Sequence, residues 1–497
     1  MGNNYRTYNP KQSFLLPPSP LEWLPEGHLA YFLLEVLETL DLSDIEDVFA
    51  KKDARGERPY APRMLLALLV YGYCVGVFSS RKMAKATYED VAFRVLAGGE
   101  HPHFTRIGDF RLQHRQALAG LFVQVLKLCA RAGLVKLGHV ALDGTKILAN
   151  ASKHKAMSYE RMQKEEARLR AEVDALLAQG DATDQAEDER HGVGQNVEDL
   201  PEELRRRQSR LERIAAAKQE LEREAAEVRA EQLRQRAQAQ EEKAQDPSVG
   251  AVEQRRAQTR AKKSRDQADK LDGGDDDDEP KSGSGSGNLP EHHVQVVANG
   301  KPAPKAQRNF TDPDSKIMVK GGEFLQGYNA QAVVDSHAQI VIAPAVTNQA
   351  ADAQHLQAMM ALIAANLERL PERMSADCGY FSEDNAKACE KLGVDAYIAV
   401  SRTKHGAKKT EQQEAKSSTA KEKEKMKVKL ETEEGSAIYA RRKVIVEPVF
   451  GQIKAAQGFR RFSLRGLSKV RDEWSFVCMT HNLLKLFRNG GLRAAVA

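Results

Sequence analysis

The sequence predicts an α/β core, a mixed sheet flanked by helices, which carries an all-α N-terminal domain and an inserted helical hairpin or coiled coil. Three observations support this fold class. Apolar residues recur at helical spacing through much of residues 1–135. Residues 153–245 place apolar residues seven apart, as a coiled coil does. Between residues 309 and 401, short β-rich runs alternate with helical ones, which is typical of an α/β sheet.

Length and charge narrow the class of protein. A chain of 497 residues is too long for one ordinary domain, so about two to four units are expected. The net charge of +5 is modest, but residues 441–471 hold nine Lys or Arg and a single acidic residue, Glu447. Such a local excess of positive charge favours a polyanionic partner, with nucleic acid as the first choice.

The cysteines and the N-terminus indicate the compartment. Five cysteines occur, and none belongs to a C-x-x-C pair, which argues against a disulfide framework or a zinc site and for a reducing environment. Met1 is followed by polar residues, and the longest apolar run, residues 64–78, is shorter than a membrane span. We therefore expect a cytoplasmic protein with no membrane partner.

The N-terminal helices carry cations near their predicted turns. "HLAYFLLEVLETL" and the apolar run at residues 64–78 both have helical spacing. Arg81, Lys82, Arg106 and Arg111 lie close to helix ends. Two interpretations remain open: these side chains contact phosphates, or they only solvate the ends of a helical bundle.

A change of period marks the first part of the core, residues 136–152. In "GHVALDGTKILANAS", apolar residues alternate with small ones up to Asp143 and Gly144. This pattern predicts either a buried strand that ends at the acid or a short hairpin with its turn at Asp143–Gly144.

The insertion follows. Met162, Leu169 and Leu176 are seven apart, and a second run places Ile214 and Leu221 seven apart. A polar loop over residues 180–195 would join the two runs as an antiparallel hairpin. Residues 246–308 lose this period and contain "DGGDDDDEPKSGSGSG", which predicts a disordered linker.

Order returns for the second part of the core, residues 309–401. "GYNAQAVVDSHAQIVIAPAVTN" predicts two strands, and the chain then reads helix, strand, helix, strand. Residues 402–435 are rich in Lys and Glu and predict a charged mobile loop. Residues 436–497 predict two closing helices that complete the core.

Three carboxylates stand at informative places. Asp143 and Asp377 each follow a predicted strand, and Glu447 lies on or near a late helix. Ligands of open α/β sheets gather at the carboxyl ends of strands, and carboxylate oxygens suit hard cations. Taken singly, an Asp before Gly is more often a turn residue, and a lone helical Glu is more often exposed to solvent.

Together these segments resemble a known family. "ALDGTK", "GYNAQAVVD", "ADCGYFS" and "Y…R…VEPVFGQIK" are similar to segments of the DDE transposases of bacterial insertion sequences, in particular the group with inserted helices and an "NAS" segment after the first Asp. The resemblance covers residues 15–134, 136–152 and 310–488. It implies a ribonuclease-H-like sheet.

The resemblance also implies an activity and a site. It makes Asp143, Asp377 and Glu447 the catalytic and metal-binding triad, holding two Mg²⁺ ions, with Mn²⁺ as an alternative. The expected function is to bind the terminal inverted repeats of an insertion sequence, cleave phosphodiesters and join 3′-hydroxyl ends to target DNA. The expected partners are double-stranded DNA and further copies of the chain, as a homodimer or higher assembly, at the bacterial nucleoid.

The final motif supplies the candidate DNA-binding residues. The family pattern spaces Tyr, Arg, Glu and Lys by three, four and seven. Here Arg442 is five residues before Glu447, and Lys443 occupies the position expected for the Arg, so both are candidates. The full set of expected DNA-binding residues is Tyr439, Arg442, Lys443, Lys454, Arg460, Arg461 and Arg465.

Pro448 limits the backbone at this motif. The residue before a proline avoids the α region, so Glu447 is predicted to lie at a helix start or at a kink. Two other function classes remain open at this stage. One is a catalytically silent DNA-binding protein derived from a transposase, and the other is a structural coiled-coil protein based on residues 158–240.

Overall fold

The computed structural model describes residues 19–50, 59–191, 202–271, 289–401 and 419–492. The N-terminal part, up to the first strand, contains helices and no strand among its described residues. Ser79 and Asp90 cap two of these helices, because their side-chain oxygens accept backbone N–H groups of the first turn. The helices are α1 (Leu29–Thr39), α2 (Ser43–Ala50), α3 (Pro62–Val75), α4 (Ser80–Glu89), α5 (Val91–Leu96), α6 (Phe104–Gln113) and α7 (Arg115–Arg131).

A six-stranded mixed sheet forms the centre of the molecule, with strand order β4-β5-β1-β7-β8 and β6 paired to β5. β1 pairs antiparallel with β5 and parallel with β7. After the insertion, the core resumes with β4, a strand that was not predicted; β5, β6, α11, β7, α12 and β8 then follow in the predicted order strand, strand, helix, strand, helix, strand. The bounds are β1 (His139–Leu148), β4 (Lys316–Lys320), β5 (Glu323–Asp335), β6 (Val341–Thr347), α11 (Leu356–Leu367), β7 (Arg373–Ala376), α12 (Glu383–Lys391) and β8 (Asp395–Ile398).

β1 does not end at its acid, and Asp143–Gly144 is not a turn. The strand continues to Leu148, and Asp143 pairs with Ala332 of β5. Gly144 is explained by packing, since a Cβ there would come within 2.4 Å of the Gln331 side-chain amide nitrogen. Glycine therefore serves a close approach between β1 and β5 rather than a change of direction.

The insertion consists of long helices and a small sheet. α8 (Tyr159–His191) and α9 (Glu202–Gln245) pack on each other, and Met162, Leu169 and Ile214 share one buried cluster. Lys218 of α9 donates to Glu166 of α8 at 2.7 Å. The predicted start of the polar loop, at residue 180, is too early, because α8 continues to His191. β2 (Ala156–Ser158) pairs with β3 (Gln307–Asn309) where the insertion leaves and rejoins the core.

The expected linker at residues 246–308 is wrong in part. A further helix, α10 (Ala251–Leu271), packs along α9. Small residues spaced three or four apart allow the close contact, namely Ala257, Ala261, Ser264 and Ala268, all of which are buried. Such a seam has little apolar content, so the sequence pattern did not reveal it. The low-complexity run at residues 272–288 lies outside the described residues.

The expected charged loop at residues 402–435 is also wrong in part. Its described portion contains α13 (Thr419–Glu431) and the first turn of α14 (Glu433–Gly451). Lys429 anchors α13 on the sheet, because its amine donates to Asp395 and lies 4.0 Å from the centre of the Tyr397 ring. Residues 402–418 lie outside the described part.

The N-terminal helices and the sheet share one hydrophobic core. The last helix, α15 (Leu467–Arg488), lies between them and contacts α7, α3 and β6. Glu473 of α15 is buried and accepts from the backbone N–H groups of Ser463 and Leu464 and from the hydroxyl of Tyr73 on α3. Burial raises the pKa of Glu473, which the backbone donors and Arg111 oppose. The junction therefore consists of directional polar contacts inside an apolar core.

Within the described residues, no single helix has the length and apolar content of a membrane span. The bent pair of α3 and α4, with 98° between them, meets that test only when the two helices are taken together.

Candidate active site

Two acids lie side by side where the parallel strands β1 and β7 separate. The last register pair of these strands is Leu142 with Ala376, and Asp143 and Asp377 are the residues that follow. β7 ends there, whereas β1 continues to Leu148. The edge of β1 beyond Asp143 is therefore not covered by β7, and this is the position where α/β sheets bind ligands.

Asp143 is partly buried, with a side chain 19% exposed, and is hydrogen-bonded on both oxygens. Its Oδ1 accepts the backbone N–H of Gly144 at 2.8 Å, and its Oδ2 accepts Nη1 of Arg442 at 2.8 Å. Burial raises the pKa of Asp143 to about 6; Asp377 raises it as well, and the Arg442 guanidinium opposes the rise. A cation close to Asp143 would favour the ionised form of this carboxyl.

Asp377 caps the short helical turn that follows β7. Its Oδ1 accepts the N–H of Gly379 at 2.8 Å. Gly379 is closely surrounded, since a Cβ there would lie 3.0 Å from Asp377 Oδ1 and 3.4 Å from Asp352 Oδ2. The turn therefore brings a further carboxylate, that of Asp352, close to Asp377.

Glu447 lies inside α14, so the predicted helix start is wrong. Its side chain is 53% exposed, and its Oε1 is 3.6 Å from Nη2 of Arg442. Pro448 lies within the same helix and lacks the N–H that would bond to Val444 O. Gln339 supplies the missing donor, because its Nε2 lies 2.9 Å from Val444 O. The chain changes to a π-helical segment, Gln452–Ala456, directly after α14.

Arg442, not Lys443, faces the site. The Arg442 side chain is 10% exposed and spans from Asp143 to Glu447, whereas Lys443 is exposed on the outer face of α14. Its carbon Cζ lies 6.0 Å from the centre of the Tyr439 ring. Despite the irregular spacing of the motif, Arg442 therefore lies between two of the three candidate acids, Asp143 and Glu447.

The donor set partly fits a divalent cation. Asp143 and Asp377 offer adjacent carboxylates, which are the ligands that Mg²⁺ and Mn²⁺ prefer. Glu447 joins them only through Arg442. Within the residues that the structure describes, no group of three His, Cys, Asp or Glu side chains has a geometry that holds a metal ion. The two strand-end acids fit the chemistry, and the guanidinium provides the positive charge between Asp143 and Glu447.

A fourth acid, Asp352, was not among the residues predicted from the sequence. It precedes α11, which begins at Leu356, and its Oδ1 accepts Nδ2 of Asn329 at 2.7 Å and Nε2 of Gln331 at 2.9 Å. Burial acts to raise the pKa of Asp352, but hydrogen bonding from His355 and the charge of Lys146 lower it overall. The sequence signal that could have indicated this site was the pair of amides, Asn329 and Gln331, at alternate positions of β5.

Lys454 contacts β1 two residues beyond Asp143, at Thr145. Its amine donates to Thr145 Oγ1 and lies 3.4 Å from Lys146 O. Burial, then the neighbouring Lys320 amine and the Arg460 guanidinium, lower the pKa of Lys454 to about 7.

The remaining expected DNA-binding residues border this surface. Arg460 and Arg461 are exposed in the segment after the π-helical turn, which pairs with the end of β1 through Leu148. Arg465 donates from Nε to Asn150 O at 3.0 Å. The predicted set therefore lies on α14 and on the segment that follows it, beside the C-terminal half of β1.

Two family models match the chain. The model described as "Transposase DDE domain" matches residues 299–483, which include Asp377 and Glu447. The model described as "Transposase domain (DUF772)" matches residues 19–113. Asp143 lies between the two matches, before the long insertion. No curated protein and no solved structure matches the chain.

Proposed function

The chain belongs to the DDE transposases of insertion sequences, a class of metal-dependent DNA cleavage and strand-transfer enzymes, and from this premise we propose how its own residues perform the reaction. The chain binds the terminal inverted repeats of its element, cleaves phosphodiesters there and joins the freed 3′-hydroxyls to target DNA. The adjacency of Asp143 and Asp377 where the parallel strands β1 and β7 separate, with Arg442 joining Asp143 to Glu447, is the observation that carries the proposal.

The acids hold the cations in this proposal. Asp143 and Asp377 are the ligands supplied by the sheet, and Glu447 is the ligand supplied by α14. Two Mg²⁺ ions, or Mn²⁺ in their place, would activate the attacking water or hydroxyl and stabilise the leaving oxygen when bound. Arg442 is displaced from Asp143 at that stage, because a dication and a guanidinium compete for the same carboxylate.

Basic side chains of the protein position the DNA in this proposal. Backbone phosphates contact Tyr439, Lys443, Lys454 and the arginines at positions 460, 461 and 465, and the displaced Arg442 joins them. Phosphate contacts fix register without reading sequence, so the terminal repeats are read elsewhere. We assign that role, together with assembly, to the helices of residues 1–135, whose polar ends include Arg81 and Arg106.

The domain organisation follows from the same proposal. The catalytic unit consists of residues 136–152, 309–401 and 436–497. The helices within residues 153–271 form an accessory hairpin, which serves as a scaffold for assembly. Both ends of an element are cut in one complex, so the working form is a homodimer or a higher assembly on DNA.

A cleavage assay tests the proposal. DNA that carries the ends of the element is incubated with Mg²⁺ or Mn²⁺ and the unaltered chain, or with Asp143→Asn, Asp377→Asn or Glu447→Gln. We expect nicking by the unaltered chain and a loss of at least about a thousand-fold in each variant, with DNA binding retained. DNA binding by the unaltered chain without cleavage in either metal would disprove the proposal and support the catalytically silent alternative.

A further inference from the structure

A largely buried polar network lies on the face of β1 opposite to Asp143. Side chains alternate along a strand, so Gly144 belongs to that face, and its register partner on β5 is Gln331. Gln331 and Asn329 are both fully buried. Their side-chain amides donate to the same carboxylate oxygen, Oδ1 of Asp352, at 2.9 and 2.7 Å. One acid thus provides the acceptor that two buried amides of β5 require.

The loop that carries Asp352, between β6 and α11, is tied to the sheet. Nζ of Lys146 donates to Ala350 O at 3.0 Å, and Nδ2 of Asn329 donates to Gln349 O at 3.1 Å. Lys146 Nζ also lies 3.9 Å from Asp352 Oδ1. Contacts to both β1 and β5 therefore fix the position of the carboxylate.

The network continues to the turn that carries Asp377. The hydroxyl of Tyr380, the last residue of this turn, donates to Oε1 of Gln331, and Tyr380 is fully buried. Nδ2 of Asn385 donates both to Tyr380 O at 2.7 Å and to Ala353 O, in the loop after β6, at 2.6 Å. Two separate routes therefore connect that loop to the turn.

The Gln331 amide also lies close to the residue that follows Asp143. A Cβ on Gly144 would be 2.4 Å from Nε2 of Gln331 and 3.0 Å from Oδ1 of Asn329, so the two amides fill the space that a side chain would need. The backbone N–H of Gly144 donates to Asp143 Oδ1 at 2.8 Å. Gln331 therefore lies beside the backbone next to one acid and bonds to the turn that carries the other.

The backbone itself does not fix the two acids relative to each other. Leu142 with Ala376 is the last register pair of β1 and β7, so the pairing ends one residue before Asp143 and Asp377. A metal site needs its ligands within about 0.5 Å of the productive geometry. The separation of these two carboxylates consequently depends on side-chain contacts, and the polar network spans the gap.

We propose that Asp352 is a positioning residue, which orients Gln331 and thereby sets the separation of the two acids that the sheet supplies; this rests on the proposed binding of cations by those acids. Asp352 acts by accepting hydrogen bonds, so an uncharged side chain with an oxygen at the same place should perform the role. Without that acceptor, two buried donors lose their partner, which is costly, and the Gln331 amide no longer holds Tyr380 in place.

Two neutral substitutions of Asp352 separate positioning from charge. Asp352→Asn keeps a carbonyl oxygen that can accept from both amides, Asp352→Ala keeps none, and both remove the negative charge near Asp377. Binding of Mn²⁺ to the full chain is measured from the electron paramagnetic resonance signal of the free ion, and Asp143→Asn identifies the site by its loss.

We expect Asp352→Ala to bind Mn²⁺ about 10- to 100-fold more weakly, as when a group that orients a metal ligand is removed, and Asp352→Asn to keep most of the affinity. Equal losses in the two variants would assign the effect to charge, and unchanged affinity in Asp352→Ala would mean that Asp352 has no role at the site. Either result would overturn the proposal.

The route through Gln331 has a test of its own. Tyr380→Phe removes only the hydroxyl that bonds to Gln331 and should also weaken Mn²⁺ binding. In a Gln331→Ala background, Asp352→Ala should cost less affinity than it does alone, because the group through which it acts is already absent. Unchanged binding by Tyr380→Phe would contradict this route. Since that variant loses a single oxygen atom, it keeps the proposal testable even where Asp352→Ala does not fold.

A control variant separates positioning from a general loss of stability. Asn366→Ala, at the opposite end of α11, removes a buried donor to Ile342 O and should lower thermal stability without changing Mn²⁺ affinity. In the metal-free protein, hydrogen exchange of the backbone over residues 377–381 should be faster in Asp352→Ala than in Asp352→Asn or Asn366→Ala, because the turn has lost its anchor. Equal exchange in all three variants would contradict the positioning role.

Failure of this proposal and failure of the proposed function give different results. If Asp352→Ala weakens Mn²⁺ binding and Asp352→Asn does not, but the unaltered chain does not cleave DNA, the positioning role stands and the catalytic proposal fails. If the chain cleaves DNA and Asp352→Ala binds Mn²⁺ normally, the catalytic proposal stands and the positioning role fails. If Asp143→Asn binds Mn²⁺ as tightly as the unaltered chain, both fail.

Discussion

Arg442 donates from Nη1 to Asp143 Oδ2 at 2.8 Å, and its Nη2 lies 3.6 Å from Glu447. One guanidinium thus neutralises two of the three acids that we propose as metal ligands. The contact is largely buried, with side-chain exposures of 10% for Arg442 and 19% for Asp143. Removing one partner of such a pair leaves a charge without compensation inside the protein.

Arg442→Gln should therefore destabilise the metal-free protein, by about 3 kcal/mol in the free energy of unfolding. Mn²⁺ should restore more stability to this variant than it adds to the unaltered chain, because the cation no longer competes with the guanidinium. Thermal unfolding with and without Mn²⁺ measures both effects. Lys443→Gln, which removes the exposed cation next in sequence, is the matched control. An equal response of the two variants to Mn²⁺ would show that Arg442 does not occupy the cation's place.

Asp143 should make stability depend on pH. Its pKa of about 6 lies above the ordinary value of 3.8, so the folded state holds a proton that the unfolded state has lost between these values. The free energy of unfolding should consequently fall by about 3 kcal/mol as pH rises from about 3 to about 7 in metal-free buffer. Asp143→Asn should remove this decline, as measured by urea unfolding at a series of pH values.

Two controls accompany the pH series. Asp109→Asn, at an exposed position on α6, should leave the decline unchanged. Mn²⁺ should shift the decline in the unaltered chain to lower pH, because the cation competes with the proton for the carboxylate. A decline of the same size in Asp143→Asn would assign it to another group.

Lys454 should take up a proton when DNA binds. In the free protein, burial and the neighbouring cations lower its pKa to about 7, so most of this amine is neutral at pH 8. A phosphate beside it favours the charged form, and binding at pH 8 should draw in about one proton. Calorimetric titration of duplex DNA in buffers of different ionisation enthalpy measures the uptake. Lys454→Met should abolish it and Lys391→Met should not; equal uptake in all three proteins would refute the assignment.

The sequence predicted the order of strands and helices along the chain and the closeness of the two acids, because both depend on local pattern. Apolar alternation located β1 and β5, and acids at the carboxyl ends of predicted strands were expected to gather at one edge of the sheet. Contacts between residues that are far apart along the chain could not be predicted from the sequence. Nothing near Asp352 in sequence indicates that Asn329 and Gln331 bind it.

The prediction of a helix start at Glu447 was wrong for a related reason. The rule against α conformation before proline predicted that Glu447 starts or kinks a helix; it does not start one, because α14 continues through Pro448. The cost of the missing N–H is offset from outside the helix by Gln339, which precedes β6 and lies 105 residues away. Tertiary contacts of this kind override local preference.

Gln339 and Pro448 should consequently be coupled in stability. Gln339→Ala removes the donor to Val444 O and should lower the free energy of unfolding by about 1 kcal/mol. Pro448→Ala supplies the helical N–H to the same carbonyl, so Gln339→Ala should cost less in that background. A double-mutant cycle by urea unfolding measures the difference, and Gln452→Ala, which removes only a 3.4 Å contact to Gln339, is the control. Strict additivity of the two changes would show that Gln339 does not compensate for the proline and that α14 tolerates Pro448 by another route.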